Sequence, residues 1–161
     1  MVVVRALGAT LIIVAIWFIG FPYLLLSAGA EPFTLALGKL RLVGAIPLLG
    51  GGLLFMWVTW LFARAGGGTP LVFDSPVRFV TGGPYSRVRN PMYLADTMIV
   101  VGLALLLESS AILVYAGLLG AALHVLVVVL EEPRLVRKFG SSYEEYCRLV
   151  PRWIPRVAKG L

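Results

Sequence analysis

The sequence predicts an all-α integral membrane fold of about four transmembrane helices, the last two a helical hairpin, plus short cytoplasmic C-terminal helices. Three observations lead there. Of 161 residues, 60% are apolar and 14% charged, where soluble domains carry roughly 45–50% and about 25%. A chain of this size has too little interior to hide that much apolar surface from water. The apolar residues also fall into four runs, and the charges between the runs are unevenly shared between two sides. Soluble-enzyme, disordered and fibrous classes do not fit these figures.

The first run extends from Ala6 to about Ala28 with no charged residue inside it. About twenty residues, rising about 1.5 Å each, cross a hydrocarbon core of about 30 Å. Ala28-Gly29-Ala30 has the small-x-small form of a signal cleavage site. Signal cores are only about 7–15 residues long, so this run is expected to stay as a span. The second run goes from Leu42 to Phe62, with Trp57 and Trp60 as expected interfacial anchors. Gly50-Gly51-Gly52 inside it would let a helix approach closely, within one chain or between two. The third run, Tyr93 to Leu107, is short, and the fourth, Ala111 to Leu130, is of full length. Glu108-Ser109-Ser110 between them reads as a tight polar turn, which makes the pair a hairpin.

This divides a single membrane domain, 1–161, into four parts. Residues 1–63 hold the first two spans, 64–92 a long connecting loop, 93–130 the hairpin and 131–161 a polar tail. The formal charge is +6. With both termini inside, Lys39 and Arg41 face outward and the other twelve basic residues face the cytoplasm. The positive-inside rule therefore fixes a multi-pass topology with cytoplasmic N- and C-termini. The basic excess is explained by orientation and by anionic membrane lipids, so no nucleic-acid partner is expected. Cys147 is the sole cysteine, which excludes an intrachain disulfide and a zinc-type cysteine pair. No metal site is expected.

Loop and tail then fall on the same side. Asn90-Pro91 reads as an N-cap followed by a proline at the first helical position. Phe139-Gly140 reads as a helix end, and Ser142-Tyr143-Glu144-Glu145 as a capping box opening a short helix that Pro151 stops. Tyr85, Tyr143, Tyr146 and Trp153 read as interfacial aromatics. Glu131-Glu132 is different, because a double carboxylate where a span leaves the bilayer is costly without partners. Arg87 and Arg89 are the natural ones. On a continuous helix His124 would share a face with Glu131, and Asp96 lies one turn beyond Tyr93. Convergence of Arg89, Tyr93, Asp96, His124 and Glu131 would make a polar cavity open to the cytoplasm. His124 reads equally as a hydrogen-bonded packing residue.

Taken together, Gly-Pro-Tyr-x-x-x-Arg-Asn-Pro-x-Tyr (Gly83 to Tyr93), the hairpin, Glu131-Glu132, Phe-Gly-x-x-Tyr-x-x-Tyr (Phe139 to Tyr146) and Val150-Pro151-Arg152 form a recognisable set. The set resembles the isoprenylcysteine carboxyl methyltransferase and phospholipid methyltransferase superfamily over about residues 77–155. The resemblance implies an integral-membrane methyltransferase that uses S-adenosylmethionine without a dinucleotide-type domain. Loop and tail would wrap the cofactor, with contacts carried over to Val77, Arg78, Phe79, Val80, Tyr85, Asn90, Pro91, Met92, Tyr93 and Glu131. Arg87 or Arg89 would hold the cofactor carboxylate. Asp96, His124 or Glu132 would help an amine acceptor lose its proton. These three and Arg89 are the expected catalytic residues.

Two positions depart from the family pattern. Asn90 stands where members often have histidine, and it cannot carry a proton charge. Val127 stands where prenylcysteine carboxyl methyltransferases have an arginine one turn before the acidic pair, which weakens prenylcysteine as acceptor. The expected acceptor is lipophilic, a phospholipid amine or an isoprenoid-type molecule entering from the bilayer. The competing class is a small non-catalytic membrane protein that binds anionic lipid or a partner through its basic cytoplasmic face. A nicotinamide-dependent membrane reductase is a third reading, and no dinucleotide glycine fingerprint supports it.

Overall fold

The computed structural model describes residues 8, 11–12, 14–65 and 81–155. Every regular element among them is helical. The expected cofactor contacts Val77, Arg78, Phe79 and Val80 lie outside the described residues.

Helix α1 spans Val14–Ser27, π-helical over Val14–Gly20 and α-helical over Phe21–Ser27. A 3₁₀ segment, Gly38–Gly44, leads into α2, Ala45–Ala65. Helix α3 covers Pro91–Leu106 and α4 covers Ser110–Leu126. A π-turn, Val127–Glu131, joins α4 to α5, Glu132–Phe139, and α6 follows at Ser141–Leu149. Two helices are long and apolar enough to cross a membrane, Gly38–Phe62 and Ser110–Phe139; Val14–Ser27 and Pro91–Leu106 are shorter apolar helices.

Helix α3 lies at the centre because both of its faces are apolar. Met92, Ala95 and Ile99 pack against Phe55 and Val58 of α2. Val100 and Ala104 pack against Ile112, Ala116 and Leu119 of α4. Residues three, four and seven apart share a helical face, so these two sets form two stripes on one short helix. Glycines allow the α2–α3 contact. A Cβ on Gly51 would stand 2.9 Å from the Ala95 carbonyl, and one on Gly102 only 2.6 Å from the Leu48 nitrogen. Gly51 therefore serves packing within one chain, and Gly52 has nothing within 4 Å. Helix α1 leans on the same core through Phe18, edge-on to Phe55, and Phe21, stacked on Tyr115. Leu49, Leu53, Met56, Leu118 and Val125 stay exposed on the outer faces of α2 and α4.

The α3–α4 turn falls at Glu108-Ser109, within the polar stretch read as a turn from the sequence. Glu108 adopts a positive φ of 51°. Its carboxylate accepts from the Leu37 and Gly38 amides, both at 2.7 Å, and faces Arg41 at 3.8 Å. Ser109 caps α4 by accepting from the Ile112 amide. Glu31 adds its carboxylate to the same helix start, accepting from Ser109 Oγ at 2.7 Å, Ser110 Oγ at 2.6 Å and the Ser110 amide at 2.7 Å. Those bonds, the Ser110 and Ser109 hydroxyls foremost, hold its pKa down at about 2.

Several expected boundaries shift. The fourth apolar run does not end its helix at Leu130; the helix continues unbroken to Phe139. Pro133 is tolerated because it falls in the first turn after the π-turn, where no regular i→i−4 bond is lost. Ser142 does not open a capping box. Helix α6 starts at Ser141, directly after Gly140 in a positive-φ conformation of 56°, with no side-chain cap. Gly140 thus closes one helix and opens the next.

Candidate functional site

The loop before α3 and the tail after α4 meet at one end of the bundle. Gly83, with φ 62°, opens a single 3₁₀ turn, Gly83–Ser86, and Ser86 Oγ locks it by donating to the Gly83 carbonyl at 2.7 Å. The turn buries Pro84 and packs Tyr85 edge-on against Phe62 of α2 at 6.0 Å. Tyr146 Oη, on α6, donates to the Tyr85 carbonyl at 2.7 Å. The Arg89 amide donates to the Pro151 carbonyl at 2.9 Å, and Asn90 Nδ2 to the Arg152 carbonyl at 3.3 Å. Residues some sixty positions apart are thereby stitched together by backbone and side chain alike.

A charged cluster lies across this seam. Glu132 faces Arg89 Nη1 at 3.1 Å and accepts from Arg152 Nε and Nη2, both at 2.8 Å. Arg89 Nη1 also donates to Cys147 Sγ at 2.7 Å. The bond to Glu132, ahead of all other influences, raises the pKa of Arg152 further above its ordinary value. Arg89 therefore meets the acidic pair, as the sequence suggests, and Glu132 is the member it meets. Arg87 is exposed.

Next to this cluster, Tyr93 Oη donates to Glu131 Oε1. The π-turn makes this contact possible. A wide turn shifts the helical phase by about one residue relative to a regular α-helix. Glu131 consequently turns to Tyr93 on α3, while His124, expected on the same face, is exposed and accepts at Nδ1 from Trp153 Nε1 at 3.0 Å. Asp96 is buried one turn beyond Tyr93. Tyr85, Tyr93 and Asp96 are close enough to act on one another electrostatically, with Glu131 acting on both tyrosines. Burial, ahead of the neighbouring Tyr146 and Glu131, pushes the Tyr85 hydroxyl well above the usual tyrosine range, so it stays protonated.

Three buried side-chain atoms have no hydrogen-bond partner among the described residues: Thr59 Oγ1, Arg89 Nε and Asp96 Oδ1. All belong to the loop end of the bundle. Thr59 stands six residues before the end of α2 and Asp96 five residues into α3, depths of about 9 Å and about 7.5 Å. Unsatisfied buried polar groups are uncommon, and these three lie toward the end where loop and tail meet.

Other expected site residues have plainer surroundings. Pro91 and Met92 are buried, Met92 in the α2–α3 core. Asn90 holds the N-cap position, but its amide reaches the tail and makes no cap bond. Tyr143 and Tyr146 are buried with Val150 in the core of the tail. Arg152, Cys147 and Trp153 are joined to the site without having been expected there. The Val-Pro-Arg motif was the available signal for Arg152, since a cation held just past a proline needs a partner. Val127 is fully buried. Among the described residues, no three His, Cys, Asp or Glu side chains gather as a metal site.

The phospholipid methyltransferase family pattern matches residues 40–142, from the 3₁₀ segment before α2 into the start of α6. The chain belongs to this family. As a family member it is 36% identical over 89 residues to methanethiol S-methyltransferase of Crocosphaera subtropica, covering 53% of this chain and 32% of that one. It is 33% identical over 79 residues to the nickel-cobalt-cadmium resistance protein NccN of Alcaligenes xylosoxydans xylosoxydans, covering 49% of this chain and 37% of the relative. It is also 33% identical over 79 residues to the cobalt-zinc-cadmium resistance protein CzcN of Cupriavidus metallidurans, covering 49% and 36%. The matched stretches span about a third of the length of these relatives. No solved structure matches the chain.

Proposed function

We propose that the chain is an integral-membrane, S-adenosylmethionine-dependent methyltransferase acting on a lipophilic acceptor from the bilayer. Family membership supports the reaction class. The observation that carries the site is the Tyr93–Glu131 contact, made at the end of the bundle where loop and tail are stitched together.

The residues fit the cofactor. When bound, S-adenosylmethionine supplies an electrophilic sulfonium methyl group. Glu131 offers a carboxylate oxygen to ribose hydroxyls or an ammonium group, and Tyr93 orients that carboxylate. Tyr85 and Tyr93 offer aromatic faces to adenine and to positive charge. Glu132 pairs with both Arg89 and Arg152, so the work of these three is to close the tail over the loop, and Arg89 Nε has no partner among the described residues. Asn90 ties the start of α3 to the tail. Val77, Arg78, Phe79 and Val80 are further proposed cofactor contacts, on the family resemblance alone. Exclusion of water and alignment of the reacting atoms supply most of the rate effect in such a transfer.

The proposed topology has four spans: α1, the helix 38–62, α3, and 110–130, with α3 and α4 as the membrane hairpin. Both termini are cytoplasmic. Loop and tail meet at one end, and Glu31, Arg41 and Glu108 gather at the other. The exposed apolar faces of α2 and α4 then meet lipid. Membrane lipids and the acceptor are the proposed partners.

A labelled methyl donor incubated with purified protein and total lipid extract tests the reading. A labelled lipid or lipid-soluble product is expected. Label transferred to no component of the extract would contradict it.

A further inference from the structure

Among the described residues, the expected proton acceptors are Glu132, His124 and Asp96, and their surroundings separate them. Both oxygens of Glu132 are taken by Arg152, and Oε1 also faces Arg89. His124 is exposed and accepts from Trp153. Asp96 is only 9% exposed, and its Oδ1 has no hydrogen-bond partner among the described residues.

The position of Asp96 is set by helical spacing. Asp96, Val100 and Ala104 lie four residues apart on one stripe of α3, and Val100 and Ala104 pack against Ile112, Ala116 and Leu119 of α4. Asp96 continues that stripe one turn toward the loop, and its neighbour Thr97 faces Gly120 of α4. Tyr93, three residues earlier, meets Glu131 at the π-turn. Asp96 therefore stands between the Tyr93–Glu131 contact and the apolar α3–α4 seam. A buried carboxylate oxygen with no partner among the described residues calls for an explanation, and a bound ligand that completes it is one.

We propose that Asp96 is the proton acceptor for the nucleophile of the methyl acceptor, an inference that rests on the methyltransferase reading above. The acceptor's reactive atom carries hydrogen, an amine nitrogen or a thiol sulfur. An ammonium group gives its proton to the Asp96 carboxylate and keeps the lone pair on nitrogen. A thiol gives its proton likewise and becomes a thiolate. The new bond forms from that lone pair to the methyl carbon as the carbon–sulfonium bond breaks, its electrons remaining on the donor sulfur. The carboxylic acid left at Asp96 returns its proton to water. An acceptor presenting a carboxylate would meet Asp96 and Glu131 with like charge.

The test uses the whole chain in lipid nanodiscs. Dicyclohexylcarbodiimide, a lipid-soluble reagent for carboxyl groups in apolar surroundings, is applied and its adducts are mapped by mass spectrometry. An adduct at Asp96, lost in Asp96→Asn, is expected; adducts confined to other carboxylates, or none, overturn the proposal. In parallel, Asp96→Asn should bind S-adenosylhomocysteine within about twofold of wild type while labelled-methyl transfer to phosphatidylethanolamine vesicles or methanethiol falls about 100-fold. Asp96→Glu should recover about tenfold of that loss. If wild type does not bind S-adenosylhomocysteine, the methyltransferase reading fails. If it binds and Asp96→Asn transfers methyl at the wild-type rate, the role of Asp96 alone fails.

Discussion

Glu132 accepts from Arg152 through both of its oxygens, Nε to Oε1 and Nη2 to Oε2, each at 2.8 Å. A fork-to-fork pair of this kind fixes direction as well as distance. It joins the first residue of α5 to the segment after α6, and Arg89 Nη1, 3.1 Å from Oε1, extends it to the loop before α3. One carboxylate thus holds three parts of the chain.

Removing that carboxylate leaves two guanidinium groups facing each other across the seam. Glu132→Ala is expected to cost about 2–3 kcal/mol of stability, read by thermal unfolding in detergent. Arg152→Ala should cost less, because Arg89 still pairs with Glu132. The double variant should lose less than the sum of the two single losses. Additive losses would mean that the two side chains act independently.

At the other end of the bundle, Glu31 makes stability depend on pH. Its folded-state pKa is held at about 2 against an ordinary 4.5, chiefly by the Ser110 and Ser109 hydroxyls. A lowered carboxylate pKa contributes stability that is complete above 4.5 and lost as pH falls toward about 2. The melting-temperature gap between wild type and Glu31→Gln should therefore be widest near neutrality and shrink within that window. A gap independent of pH would show that Glu31 stabilises by packing alone.

Glycine substitutions separate close helix approach from mere helix propensity. A Cβ on Gly102 would lie 2.6 Å from the Leu48 nitrogen and 2.8 Å from the Gly44 carbonyl. Gly102→Ala is expected to destabilise by about 1–3 kcal/mol, since backbone must move. Gly52→Ala meets nothing within 4 Å and should be neutral or stabilising by up to about 1 kcal/mol. Equal effects of the two in detergent unfolding would refute the close α2–α3 crossing.

The sequence shows much of the frame because helices announce themselves locally. Pro91 at the first turn, Gly140 past Phe139 and the apolar runs place α3, α5 and α2 to within a few residues. Pairing across distance is what local pattern cannot show. Gly102 reads as one small residue among many, until the α2–α3 register sets it against Leu48 and Gly44. Glu31 sits 78 positions from the Ser109 hydroxyl it accepts from. The π-turn at Val127–Glu131 carries no proline or glycine to signal it, yet it decides that Glu131 faces Tyr93 while His124 faces Trp153. The pairing of Arg89 with the acidic pair was accordingly legible, while the Tyr93–Glu131, Arg152–Glu132 and Trp153–His124 contacts were not. Arg89, expected as a partner of the acidic pair and as a holder of the cofactor carboxylate, is engaged by Glu132 and Cys147.

The account depends above all on Tyr93 and Glu131 forming one binding site for the methyl donor. Calorimetric titration of S-adenosylhomocysteine into detergent-purified protein tests this most directly. Wild type should bind, and Glu131→Ala and Tyr93→Ala should each weaken binding at least tenfold, about 1.4 kcal/mol. No binding to wild type, or unchanged affinity in both variants, would contradict the account.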